Sequence, residues 1–170
     1  MKVLVTSKSF GKYAPEALGY LREHGFEVNF ISRPSPSSAQ ILAEIGDSEA
    51  LIVGNDPVDR ELLEKSPHLR LVHMNGTGLD AIDVQAASEL GVLVANAPGA
   101  NRNAVAELTV ALMLVAGRGI ERHAQALRTG AWERSAGHEL SRKTVGLVGL
   151  GNIGKRIVEL LGGFSVKIVA

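Results

Sequence analysis

The sequence predicts an α/β protein in two parts. Residues 1–98 form a doubly wound parallel sheet, and residues 99–170 carry a long helix and the start of a second strand–turn–helix unit. Three observations predict this. Short apolar, strand-like runs alternate with helix-like segments from the first residue, as parallel strands covered by helices on both faces do. After Pro98 the alternation yields to a stretch with almost no polar face. Finally, the run Gly149-Leu150-Gly151-Asn152-Ile153-Gly154 follows an apolar strand and opens a helix, the context that lifts G-x-G-x-x-G above a chance match.

The elements of the first part follow in order. Lys2 to Thr6 reads as a strand. Pro15 to His24 reads as a helix, with Ala17, Leu18 and Leu21 on one face and Gly25 as its stop. Glu27 to Ile31 is a second strand, Arg33 to Ser38 a Pro/Ser loop, and Ser38 to Ile45 a short helix. Ala50 to Gly54 is a third strand, and Asp56-Pro57 is expected to cap the turn into a helix over Arg60 to Lys65. Leu69 to Met74 is a fourth strand, followed by the loop Asn75-Gly76-Thr77-Gly78. Val84 to Leu90 is a helix stopped by Gly91, and Val92 to Ala95 a fifth strand ended by Pro98-Gly99. Short right-handed connections then give a flavodoxin-like sheet.

In the second part, Asn101 to Gly117 reads as a helix that is apolar all round and therefore buried on all sides, in an inter-domain or inter-subunit position. A more polar helix, Ile120 to Leu127, ends at Thr129-Gly130-Ala131-Trp132, where Trp132 is expected to anchor the turn. Thr144 to Val148 is a buried strand, Lys155 to Leu161 a helix, and Val166 to Ala170 the next strand. This is the opening of a Rossmann dinucleotide-binding unit. Its first glycine permits a tight turn, the second lets backbone approach a pyrophosphate, and the third lets helix and strand pack closely. The acidic residue that grips a ribose falls about 20 residues further on, beyond Ala170, so the chain is expected to be part of a larger enzyme.

Composition narrows the function. Lys plus Arg equals Asp plus Glu at 18 each, which gives no electrostatic reason to expect nucleic acid or an anionic membrane as partner. There is no cysteine, which excludes disulfides, thiolate metal sites and a cysteine nucleophile. The N-terminal apolar run is too short for a signal peptide, and Val110 to Ala116 falls far below the roughly 20 residues of a membrane span. A cytoplasmic protein is the expectation. The histidines at 24, 68, 73, 123 and 138 show no metal-ligand spacing and read as surface or structural, with His73 nearest the Asn75 loop.

Three stretches together resemble the D-isomer-specific 2-hydroxyacid dehydrogenases, especially their phosphoglycerate-dehydrogenase-like branch. They are Asn75-Gly76-Thr77-Gly78-Leu79-Asp80-Ala81-Ile82-Asp83; Asn96-Ala97-Pro98-Gly99-Ala100-Asn101 with Ala104 to Leu108; and Gly130-Ala131-Trp132 with Val145 to Gly154. The resemblance covers the whole chain as an N-terminal half. It implies an oxidoreductase that moves a hydride between NAD and a D-2-hydroxy acid or its 2-keto partner, with NADP not excluded. It implies a substrate and catalytic domain over residues 1–98 and an incomplete NAD-binding domain over 99–170. It also implies a homodimer formed through the Asn101–Gly117 helix and a hinge near Pro98 to Asn101.

The site residues carried over are Asn75, Gly76, Thr77, Gly78 and Asn101 for the substrate, and Thr77, Gly149, Gly151, Asn152, Ile153 and Gly154 for the cofactor. The arginine, histidine and carboxylate of the family's hydride chemistry have no counterpart in this half. No catalytic residue is therefore expected here, and the chain alone is expected to be inactive. Val53-Gly54-Asn55 stands where the phosphoglycerate enzymes often carry an arginine, which counts against a phosphorylated substrate. Asp80 and Asp83 read as turn and N-cap residues, Asn101 also as a helix cap, Glu107 as a structural group with a partner, and Arg102 and Arg118 as solvated or helix-end charges. A non-catalytic NAD-sensing protein of the corepressor kind is the alternative. A signalling receiver domain fits poorly, since Gly54-Asn55-Asp56 ends the third strand.

Overall fold

The computed structural model describes residues 1–31 and 34–170, which divide into two units, Met1–Pro98 and Gly99–Ala170. Arg33, expected in the loop before Ser38, lies outside the described residues.

In the first unit the strands are β1 (Lys2–Val5), β2 (Glu27–Phe30), β3 (Ala50–Val53), β4 (Leu71–Met74) and β5 (Leu93–Ala95). The helices are α1 (Pro15–Glu23), α2 (Ser38–Ile45), α3 (Arg60–Glu64) and α4 (Val84–Glu89). The strands pair in parallel in the order β2-β1-β3-β4-β5, the flavodoxin-like order. The central strand β3 reads Ala-Leu-Ile-Val and is buried at every position, as a strand covered on both faces must be. Side chains alternate between faces along each strand. Leu4, Leu51, Val53 and Val72 meet Ile41 and Ile45 of α2, Leu62 and Leu63 of α3, and Ala86 and Ala87 of α4. Val3, Val5, Ala50 and Ile52 point the other way, against Leu21 of α1 with Phe10 and Phe26.

Local chemistry sets the helix starts. Ser37 and Gln40 form a reciprocal capping box on α2, and the Asp83 carboxylate accepts from the Ala86 amide at the start of α4. The cap of α3 differs from expectation. Asp59, not Asp56, accepts from the Leu62 amide, at 2.9 Å. The chain stays extended through Val58, which bridges Ile82, and the Asp56 carboxylate is engaged elsewhere.

The second unit has α5 (Arg102–Arg118), α6 (Ile120–Arg128), β6 (Thr144–Gly146), α7 (Asn152–Leu161) and β7 (Lys167–Val169), with a 3-10 turn at Gly162–Phe164. Gly119 adopts a left-handed conformation (φ 61°) and breaks the helical run between α5 and α6, which bend by 67°. β6 and β7 pair in parallel as a two-stranded sheet. Its core is Ala106 and Val110 of α5 against Ile157 and Leu161 of α7, with Val145, Phe164 and Ile168 half-buried around them.

Neighbours within the second unit cover one side of α5 and leave Leu108 and Leu112 59% and 57% exposed, the face for which the sequence expects an inter-domain or inter-subunit position. Two expectations are corrected here. The strand expected over Thr144 to Val148 ends at Gly146 and is only half-buried, because β7 is its one partner. Trp132 is 79% exposed and anchors nothing. The turn is closed by backbone instead, with the Gly130 amide on the Leu127 carbonyl and the Ala131 amide on that of Ala126. Among the described residues no single helix is long and apolar enough to cross a membrane.

Candidate functional site

Because the strands are parallel, the residues after β1, β3 and β4 share one edge of the first sheet, the carboxyl edge where ligands of doubly wound folds bind. The loop Asn75 to Gly78 lies there and is braced at each end. The Asn75 amide donates to the Val53 carbonyl at 2.8 Å, and its side chain donates to Ser7 Oγ at 2.8 Å and Ser9 Oγ at 3.1 Å. The Asn96 side chain donates to the Thr77 carbonyl at 2.8 Å, and the Ala97 amide to the Gly76 carbonyl at 2.8 Å. The loop is thus clamped from the segment after β1 and from the segment after β5. A Cβ on Gly76 would come within 3.0 Å of Met74 Cε, the movable end of a flexible side chain.

The glycine turn lies in the second unit, and its three glycines differ. Gly149 has φ 98°, a conformation that disfavours any side chain. A Cβ on Gly154 would lie 2.5 Å from the Gly149 carbonyl oxygen, so only glycine lets α7 pack against the turn. Gly151 has ordinary extended dihedrals, and a Cβ there would meet nothing within 4 Å. The backbone accounts for two of the glycines and not for the third. Gly151 is also the N-cap of α7, and no side chain bonds to the free amides of the first turn. The helix begins at Asn152 rather than Lys155, with the Lys155 amide on the Gly151 carbonyl as its first bond.

Asn101 holds the N-cap position of α5, but its side chain makes no capping bond. Within the second unit, a Cβ on Gly99 would lie 3.4 Å from the Asn152 side-chain amide, so the turn before α5 and the start of α7 are neighbours. A cavity of about 370 Å³ lies alongside, lined by Arg102, Asn103, Asn152, Lys155, Arg156 and Glu159. Arg156 is paired with Glu159 at 2.7 Å.

The remaining candidates fall elsewhere. His73, in β4, lines an apolar groove with Phe10, Leu21 and Leu71 rather than the carboxyl edge, and burial lowers its pKa. His24 stacks on Tyr20, and His123 hydrogen-bonds Ser135. Asp80 is an exposed turn residue, and Glu107 is exposed on α5. Among the described residues no group of three acidic or histidine side chains could hold a metal ion.

Sequence reasoning missed Ser7, Ser9 and Asn96 as braces and Asp56 as a buried group. Each acts across a long sequence separation. The position of Ser7 and Ser9 after a first strand was the available signal.

The family model for D-isomer specific 2-hydroxyacid dehydrogenase, catalytic domain, matches residues 3–163. The chain belongs to this family. It is 34% identical over 173 residues to a D-3-phosphoglycerate dehydrogenase of Archaeoglobus fulgidus, covering 100% of this chain and 32% of that protein. Its fold matches the TT0316 protein of Thermus thermophilus with a TM-score of 0.86 at 31% identity, covering 99% of this chain and 55% of that one. It also matches NAD+-bound 3-phosphoglycerate dehydrogenase of Entamoeba histolytica, with a TM-score of 0.78 at 29% identity over 99% of this chain and 52% of that one. The chain therefore spans about a third of the first relative's length and about half of the matched structures. The family comprises oxidoreductases that act on small 2-hydroxy and 2-keto acids.

Proposed function

We propose that the chain supplies the substrate loop and the diphosphate turn of an NAD-dependent D-2-hydroxyacid dehydrogenase. The observation that carries this reading is the inequality of the three glycines. Gly149 and Gly154 are required by the backbone, whereas Gly151 is not, and it fronts open space at an uncapped helix N-terminus. A phosphate there would take the free amides of Asn152 and Ile153 and the favourable end of the α7 dipole. NAD fits this donor set, and when bound it supplies the hydride chemistry.

In the same reading the amides of Gly76, Thr77 and Gly78 receive the substrate carboxylate, Thr77 also meets the cofactor, and Asn101 lies near the substrate. In this reading the arginine, histidine and carboxylate of the family's hydride chemistry have no counterpart among the residues of this chain. The Asn101–Gly117 region, with Leu108 and Leu112 exposed, serves as a homodimer surface.

The test is an NADH fluorescence titration of the wild-type chain and Gly151→Val. The variant fills space that is empty in the folded chain, so it is expected to lose binding while staying folded, at a cost of no more than about 1 kcal/mol for a poorer N-cap residue. Equal affinity in the two proteins would overturn the reading. A coupled NADH assay is expected to show no turnover by the chain alone.

A further inference from the structure

We draw no further inference here: the strongest candidate, the apolar groove beside α1 on one face of the first sheet, lined by Phe10, Tyr20, Leu21, Ile52, Leu71 and His73, carries nothing because nothing in the structure shows what covers it.

Discussion

The two units use the same strand-and-helix vocabulary and reach different degrees of closure. In the first, β3 is enclosed by neighbours on both edges and both faces, and Leu51, Val53 and Val72 are sealed at its centre. In the second, the sheet has two strands, Val148 is fully exposed, and the core is a contact between α5 and α7. The lesson concerns what a sheet needs. A parallel pair buries little by itself, so the second unit depends on two helices, while the first depends on its central strand. In this chain, which spans about half the length of the matched structures, the glycine turn sits on two strands and two helices.

The largest expected effects come from truncating each core. Leu51→Ala should cost the first unit about 2–5 kcal/mol, and Leu161→Ala the second unit a similar amount from a smaller reserve. Amide hydrogen exchange would read the contrast: Leu161→Ala is expected to erase protection in β6 and α7 and leave β3 slow. Simultaneous loss in both units would break the comparison.

Next comes the pair of glycines. Gly154→Ala forces a Cβ against the Gly149 carbonyl and should cost about 1–3 kcal/mol in thermal or urea unfolding, together with nucleotide binding. Gly151→Val should cost less, no more than about 1 kcal/mol for a poorer N-cap residue. Equal stability losses would show that both glycines serve packing.

A smaller effect belongs to the first unit's caps. Asp83→Ala removes the acceptor for the Ala86 amide and should cost about 1 kcal/mol in urea unfolding. The smallest is a pH dependence at Asp59, whose pKa is lowered chiefly by the Leu62 amide. A depressed folded-state pKa stabilises fully above the unfolded value of about 3.9 and is lost as pH falls through the folded value. Asp59→Asn should flatten that acid limb slightly, as measured by melting temperature against pH.

Much of the first sheet is legible in the sequence because buried parallel strands read as apolar runs, as Ala50 to Val53 does. Strand ends are less legible. Leu69 and Val92 are buried by packing and not by pairing, so apolar runs overstate the ladder. Asp56 reads as a cap because an aspartate before proline has that local signature. Its actual partner, Thr6, lies 50 residues away. The same distance problem hides Ser7 and Asn96. Trp132 reads as an anchor because an aromatic at a turn looks like one, and only burial decides. The glycine fingerprint is legible because its spacing encodes backbone geometry directly, as the Gly149 and Gly154 positions show.

The central claim is that the Gly149–Gly154 turn holds a diphosphate. The most direct measurement is an amide chemical-shift titration of the chain with ADP-ribose. The account predicts saturable shifts centred on Gly151, Asn152 and Ile153, with β1 to β3 of the first unit unmoved. Shifts absent from that turn, or retained in full by Gly151→Val, would contradict it.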